Sequence, residues 1–361
     1  MSVSEVVGIG VIGLGKMGIS HFALANAHPR SEVMICDREG FQLDVLKKYV
    51  PNRVYTDAVT MMDEARPAGI VVATPSRLHG EIVRSALERG IHVFCEKPFC
   101  LDWNESFELA DLAEQRGLVN QVGYHYRHVG AFQEMKRIVE SGALGTITHV
   151  LAEAYGPVIL QPKRATWRGR KSEGGGCLYD YAAHPLNLLN WLFGVPVQAR
   201  GSVLNSIFSA EIDDEVYSTL TFSNGVTAQL AANWSDESHR KMSTRITMIG
   251  TNGRLFADRQ ECQLYLRAAR GELPGYEKGW NVRYTTELSR LPWFYLRGEE
   301  YSNQMDAFIT AVATGTPGAP EYGFRVAAET DRTISMILDD HAGVASVSPK
   351  PAARKRGWFS R

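Results

Sequence analysis

Short apolar runs alternate with helical patterns through the first third of the chain, and this alternation narrows the possible folds sharply. Val6–Ile12 precedes Met17–Ala27, Val33–Cys36 precedes Phe41–Tyr49, Gly69–Ala73 precedes His79–Arg89, and His92–Cys95 precedes Asn104–Arg116. The apolar runs have strand length, whereas the segments between them carry apolar residues at helical spacing. Repeated strand-helix-strand units cross over right-handedly and build a doubly wound parallel sheet, here the α/β part of the fold. At 361 residues the chain is longer than one hydrophobic core usually organises, so a second domain is expected.

From about Ile147 the texture changes. Ile147–Ala154, Val216–Phe222, Thr227–Asn233, Arg245–Ile249 and Leu255–Ala257 read as strands, with hairpin signals at Asn224–Gly225 and Asn252–Gly253. These predict an α+β domain on a large, mostly antiparallel open sheet. Helical spacing returns over Tyr301–Ala313 and Phe324–Leu338, which suits helices packed on the sheet or back on the first domain. Arg267–Arg297, rich in Gly, Pro and aromatics, reads as a long loop of the kind often found at binding sites. The expected division is 1–124, 125–345 and a tail over 346–361 that holds Pro349, Pro351 and the basic cluster Arg354–Arg356.

Composition removes several classes of function. A formal net charge of −1 gives no long-range attraction to nucleic acid or to an anionic membrane, so small molecules are the expected partners. The longest apolar runs are far short of a bilayer span and Met1–Glu5 lacks a basic signal-peptide start, so a cytoplasmic location is expected. The five cysteines are scattered and lack CxxC spacing, which argues against a disulfide framework or zinc site. No metal is expected.

Gly13, Gly15 and Gly18 form G-x-G-x-x-G after the apolar run Val11–Ile12 and ahead of a helical stretch. Gly8, Gly10 and Gly13 match the same pattern, but the later register leaves a full strand upstream. It also puts Asp37 at the end of the next strand, where a carboxylate accepts bonds from ribose hydroxyls. Gly13 then makes the tight turn, Gly15 admits the pyrophosphate, and Gly18 brings helix and strand together, with the helix N-terminus facing the phosphates. Asp37 repels a 2′-phosphate, which favours NAD; Arg38 beside it would partly neutralise that repulsion, which leaves NADP open.

His92-Val93-Phe94-Cys95-Glu96-Lys97-Pro98 closes another strand, at the edge of the crevice that borders the carboxyl ends of a doubly wound sheet. Here the sequence resembles the glucose–fructose oxidoreductase / inositol dehydrogenase / MocA (Gfo/Idh/MocA) family of NAD(P)-dependent oxidoreductases, whose signature is Glu-Lys-Pro. Ala73-Thr74-Pro75-Ser76 with His79, Gly123-Tyr124-His125-Tyr126-Arg127, Val139–Gly145, Trp167-Arg168, and Gly174-Gly175-Gly176 with Asp180 and His184 extend the resemblance over nearly the whole chain. It implies cofactor contacts at Lys16, Met17, Thr74, Pro75 and His79, and further ones at Glu96, Lys97, Trp167 and Arg168. Substrate contacts are implied at Lys97, Tyr124, His125, Arg127, Asp180 and His184, with Lys163 added from a basic stretch.

Asp180 and His184 stand four apart in a helical run, so a carboxylate there is placed to orient an imidazole as a general base. An ammonium at Lys97 would stabilise the alkoxide that forms as the proton leaves. The implied catalytic set is Lys97, Asp180 and His184, acting on a ring hydroxyl or ketone of a sugar, sugar nucleotide or cyclitol. Lys163, Arg164, Arg168, Arg170 and Lys171 either meet an anionic substituent of the substrate or form a solvated loop. Two other readings share the scaffold: an NAD-dependent glycosidase working by transient oxidation, elimination and re-reduction, and a non-catalytic nucleotide-binding sensor. A large open sheet has to be covered, so a homodimer or homotetramer through the C-terminal sheet is expected.

Overall fold

The computed structural model describes residues 6–160, 167–268 and 273–343. Its first half is a parallel sheet of six strands: β1 (Val7–Ile12), β2 (Ser31–Cys36), β3 (Val54–Tyr55), β4 (Gly69–Val72), β5 (His92–Cys95) and β6 (Asn120–Val122). Helices α1 (Lys16–Asn26), α2 (Gly40–Leu46), α3 (Ala58–Ala65), α4 (His79–Glu88) and α5 (Trp103–Gln115) connect them. The strand order is β3-β2-β1-β4-β5-β6, so the chain reverses direction between β1 and β4 and opens a crevice at their carboxyl ends. The central strands are apolar on both faces, with Ile9, Val11, Ile70, Val71, Val93 and Phe94 fully buried. This is why they read as continuous hydrophobic runs rather than alternating ones.

After α6 (Gly130–Glu140) and β7 (Ile147–Tyr155) comes α7 (Ala183–Phe193), followed by β8 (Pro196–Asn205), β9 (Glu215–Phe222), β10 (Thr227–Asn233) and β11 (Ser243–Gly250). β12 (Gly253–Ala257), β13 (Glu261–Leu266) and β14 (Gly279–Tyr284) complete the second sheet. Its order is β14-β13-β12-β11-β7-β10-β9-β8, antiparallel except where β10 runs parallel to β7. One face is buried, and Val150, Ala152, Val216, Leu220, Leu230, Ile246 and Leu264 point into it. The opposite face alternates outward and carries Leu151, Tyr217, Tyr265 and Trp280 to solvent.

The expectation of a structureless loop over Arg267–Arg297 needs correction. β14 and the short helix α8 (Thr285–Leu288) lie inside it. In β14 only alternate residues are half-buried while Trp280, Val282 and Tyr284 face out, so an edge strand with an apolar outer face carries no inward hydrophobic signal. β8 and β13 also lie outside the expected strands: in β8 the inward residues are diluted by Gln198, Arg200, Gly201 and Ser202, and β13 is a six-residue strand in which Glu261 and Gln263 alternate with its inward positions.

Two C-terminal helices join the halves. α9 (Glu299–Thr314) packs on α1 and β1, where Met305, Phe308 and Ile309 share a buried cluster with Ile9, Phe22, Ile35 and Phe94. α10 (Phe324–His341) lies against α5, α7 and β8, and so touches both sheets' layers. All five cysteines are free and buried. Among the described residues no helix is long and apolar enough to cross a membrane.

α10 also carries a buried acid. One oxygen of Asp331 accepts from the Cys100 amide at 3.2 Å and the Ser106 hydroxyl at 2.8 Å, while its other oxygen has no partner. Burial without a neighbouring cation pushes its carboxyl up to about 7. In the unfolded chain the same group ionises near pH 4, so between roughly pH 4 and 7 the fold binds a proton that the unfolded chain has released. Stability therefore falls as pH rises through that window. Asp331→Asn keeps an acceptor oxygen but removes the proton, and its melting temperature should fall less than the wild type's between pH 5 and 8; equal pH slopes would show that Asp331 is ionised in the fold.

Candidate active site

The crevice between β1 and β4 is shaped by glycine. Gly13 has φ +89°, and a Cβ there would sit 2.8 Å from the Ala73 carbonyl and 2.9 Å from the Thr74 amide, so β1 and β4 approach this closely only with glycine. A Cβ on Gly18 would lie 1.7 Å from the Gly13 carbonyl oxygen. Gly15, in contrast, would project a Cβ into open space with nothing within 4 Å. Its bareness serves nothing inside the protein. It clears the N-terminus of α1, where unpaired amides and the helix dipole favour a phosphate.

Asp37 closes the turn from the neighbouring strand. One carboxylate oxygen accepts the Leu14 amide at 2.5 Å and the other accepts the Glu39 amide at 2.8 Å. Lys16 is exposed and Met17 half-buried at the rim of the same turn, with Arg38 exposed beyond Asp37. These residues fit an adenine dinucleotide: the open approach at Gly15, the helix N-terminus, and a fixed acid at the end of β2 are the features that pyrophosphate and ribose require.

Four residues expected at the cofactor, Thr74, Pro75, His79 and Glu96, belong to the wall of the crevice. His79 is buried between carbonyls, with Nδ1 2.9 Å from the Pro98 oxygen and Nε2 3.0 Å from the Thr74 oxygen, and so ties the loop after β4 to the loop after β5. Thr74 and Pro75 form that first loop, and the Thr74 hydroxyl is buried without a partner. Glu96 lies 2.5 Å from His21 Nε2 on α1 and accepts the Lys97 amide at 3.2 Å. Its carboxylate also packs where a side chain on Gly123 would collide with it.

Lys97 follows at the carboxyl end of β5, joined to Pro98 by a cis peptide bond. Its ammonium donates to Asp180 twice, to Oδ1 at 2.9 Å and to the backbone oxygen at 2.7 Å. Arg168 Nε donates to the other carboxylate oxygen at 2.7 Å, and its guanidinium lies over the Trp167 ring at 4.8 Å. Burial works against the charged form of Asp180, but the two cations outweigh it and hold the carboxyl well below the usual range. Asp180 is ionised and fully engaged.

This changes the reading of the Asp180–His184 pair. No hydrogen bond joins them, because two full cations compete for the carboxylate far more strongly than a neutral imidazole does. Leu178–Ala182 forms a π-type turn ahead of α7 rather than a regular α-helical turn. Asp180 thus positions Lys97. His184 instead sits among aromatic rings, 5.1 Å from Tyr126, 4.9 Å from His125 and 6.2 Å from Tyr124, with Nδ1 buried and unpartnered. Burial, then Lys97 and His125, hold its pKa well below the ordinary histidine value. The imidazole is neutral at physiological pH, so one of its ring nitrogens is unprotonated and can act as an acceptor.

His125 stacks on Tyr301 of α9 at 4.5 Å, a residue that sequence spacing offered only as one more helical aromatic. Tyr124 is buried beside His184 with its hydroxyl unpaired. Arg127 is a correction: it is 1% exposed, donates to Asn187 Oδ1 at 2.6 Å, the Asn187 carbonyl at 2.9 Å and the Glu321 carbonyl, and lies over Trp191. Four groups already occupy it, so it fastens α7 to the segment before α10 and does not reach a substrate. Of the basic stretch, Arg170 lies near Glu173, which Arg77 also pairs from the loop after β4, Lys171 is exposed, Arg168 is committed to Asp180, and Lys163 and Arg164 lie outside the described residues. The triple glycine packs tightly: a Cβ on Gly175 would meet the Arg168 carbonyl at 2.3 Å and one on Gly176 the Asp213 carboxylate at 2.3 Å.

A dinucleotide turn, an ammonium and a neutral imidazole converging at the carboxyl ends of a doubly wound sheet define an oxidoreductase site. Residues 7–124 match the family described as "Oxidoreductase family, NAD-binding Rossmann fold", and residues 132–256 match the "GFO/IDH/MocA C-terminal domain". The chain belongs to the Gfo/Idh/MocA family of NAD(P)-dependent oxidoreductases.

Among its relatives, a levoglucosan dehydrogenase of Pseudarthrobacter phenanthrenivorans is 25% identical, with 92% of this chain and 96% of that protein covered. A 2,7-anhydro-N-acetylneuraminate hydratase of Escherichia coli is 26% identical over 87% of this chain and 81% of its own length. The D-glucoside 3-dehydrogenase of E. coli is 29% identical over 54% of this chain and 56% of its own. The solved levoglucosan dehydrogenase complex with NADH and L-sorbose shares the fold, with TM-score 0.82 at 22% identity over 94% of this chain and 98% of that one.

The glycine geometry separates two roles experimentally. Gly18→Ala should cost at least about 2 kcal/mol of stability through overpacking, read as a lowered melting temperature. Gly15→Val should melt near the wild type yet bind NADH at least tenfold more weakly by calorimetry; unchanged affinity would place the phosphates elsewhere.

Proposed function

We propose that this chain is an NAD-dependent oxidoreductase that moves a hydride between nicotinamide and a ring hydroxyl of a sugar, sugar nucleotide or cyclitol. The observation that carries the reading is a neutral, buried His184 beside an ammonium, Lys97, that Asp180 fixes at the crevice. A bound dinucleotide supplies the hydride acceptor at its nicotinamide ring. His184 accepts the hydroxyl proton, and Lys97 donates a hydrogen bond to the oxygen as its negative charge grows. Arg168 holds the far side of Asp180, so the carboxylate cannot swing away and release Lys97. Tyr124, Tyr126 and His125 exclude water around the imidazole and line the place of the sugar ring.

Sugar-like substrates are supported by the relatives, whose names specify levoglucosan and D-glucosides. The hydratase relative favours a second reading, in which oxidation, elimination and re-reduction close a cycle without net release of NADH. A panel of sugars, cyclitols and sugar nucleotides, followed both by the absorbance of reduced nicotinamide and by product analysis, separates the two. His184→Ala should lower turnover by roughly two to four orders of magnitude while NADH affinity stays within threefold. Because His184 is already neutral, wild-type hydroxyl oxidation should not acquire an acid limb between pH 6 and 7; a limb near 6.5 that vanishes in His184→Ala would contradict the buried, neutral imidazole.

The outer face of the second sheet is where we place a second copy of the chain. Leu151, Tyr217 and Ile249 are each more than 40% exposed there and Trp280 is 60% exposed, a broad apolar area on a regular surface. Light scattering should give a dimer or tetramer for the wild type and smaller particles for a Leu151→Asp, Tyr217→Lys variant; a monomeric wild type would remove this assembly.

A further inference from the structure

Arg297 stands just ahead of α9 in a conformation that side chains avoid. Its φ is +68°, and Gly298 after it has φ +147°. The other non-glycine residue with positive φ among the described residues, Arg66, ends helix α3 in the common left-handed cap, but Arg297 precedes a helix and has no such role. Such strain persists where the surroundings enforce it, and it concentrates at binding sites. Here Arg259 enforces it by donating to the Arg297 carbonyl at 2.6 Å.

The side chain that this backbone presents forms no salt bridge among the described residues, and its Nε is buried without a hydrogen-bond partner. Glu300, three residues on, has its carboxylate 2.7 Å from Arg259 instead. The guanidinium lies over Tyr301 at 5.3 Å, Tyr301 stacks on His125 at 4.5 Å, and His125 packs on His184 at 4.9 Å. This stack runs from the catalytic imidazole to Arg297 at the start of α9, the helix that packs on α1 behind the glycine turn. Arg297 is also the charged group that depresses Lys16 most, ahead of Arg168 and Lys241, after the effect of burial. An unpaired, partly desolvated guanidinium beside further cations is costly unless an anion arrives.

We propose that Arg297 is an anion-binding residue of the crevice that holds the dinucleotide's pyrophosphate from the C-terminal half of the chain. The terminal nitrogens of the guanidinium fork match two phosphate oxygens. The same fork matches a carboxylate or phosphate on a substrate, so the test has to separate the two sources. This inference rests on the dinucleotide reading above.

Arg297→Gly suits the positive φ and should fold at least as stably as the wild type, with an equal or higher melting temperature, which keeps misfolding out of the interpretation. Calorimetric titration of the full chain with NADH and with ADP-ribose should show both bound 10- to 100-fold more weakly by Arg297→Gly, with a shallower salt dependence. Arg297→Lys should recover only part of the loss, since an ammonium is a point charge. If NADH and ADP-ribose bind as before but the KM for uronic acids or sugar phosphates rises while neutral sugars are untouched, the pyrophosphate assignment is overturned and the anion belongs to the substrate. If neither changes, Arg297 binds no anion. A wild type that binds neither NADH nor ADP-ribose would sink the dinucleotide reading itself; loss of binding in Gly15→Val but not in Arg297→Gly would sink this inference alone.

Discussion

Asp180 carries a full negative charge where water barely reaches, and it does so because Lys97 and Arg168 each bring a cation to one of its oxygens. Lys97 comes from the end of β5, far along the chain from Asp180, whereas Arg168 lies 12 residues ahead of Asp180 in the segment that leads into α7. Desolvating three charges is expensive, and mutual attraction offsets that cost only while the geometry is kept. Removing one member would leave an uncompensated buried charge. The cluster therefore fixes the second domain against the carboxyl ends of the first sheet and, with the same bonds, aims the ammonium on which the chemistry depends. Lys97 also contributes to keeping His184 neutral, so the proton acceptor and the oxyanion support are set by one arrangement.

Around this cluster the protein uses buried polar side chains as ties between elements. His79 joins the loops after β4 and β5, and His21 joins α1 to Glu96. Arg127 joins α7 to the segment ahead of α10, and Asp331 joins α10 to the residues just after Lys97 and Pro98. Each tie is a buried side chain bonded to another element of the protein. The crevice wall is consequently rigid before any ligand enters, which lowers the ordering cost of binding and suits a site that has to hold reacting atoms within a fraction of an ångström.

Much of the first domain was legible because local pattern and tertiary role coincide there. A buried parallel strand is an unbroken apolar run whatever packs on it, and the turn after β1 can be made only by glycines at fixed offsets. Gly13 and Gly18 are required by contacts within two adjacent elements, so their meaning is nearly local. The second sheet was read in its central strands and missed at its margins. β14 shows Trp280, Val282 and Tyr284 on its outer face, so its period points away from the core and gave no inward stripe to recognise.

The sequence by itself determined the doubly wound sheet, the dinucleotide turn with Asp37, and the residue types available for proton and oxyanion work at positions 97, 180 and 184. Only the tertiary structure decided how those residues divide the work. Spacing along a helix suggested that Asp180 serves His184, whereas the fold brings Lys97 and Arg168 to the carboxylate from elsewhere, and two cations outcompete one neutral ring. It likewise turned Arg127 inward onto Asn187 and left the Arg297 Nε without a hydrogen-bond partner among the described residues. Charges act through space, over distances that sequence separation does not record, so the pairing of ionic groups belongs to the folded chain while the pattern of apolar residues belongs to the sequence.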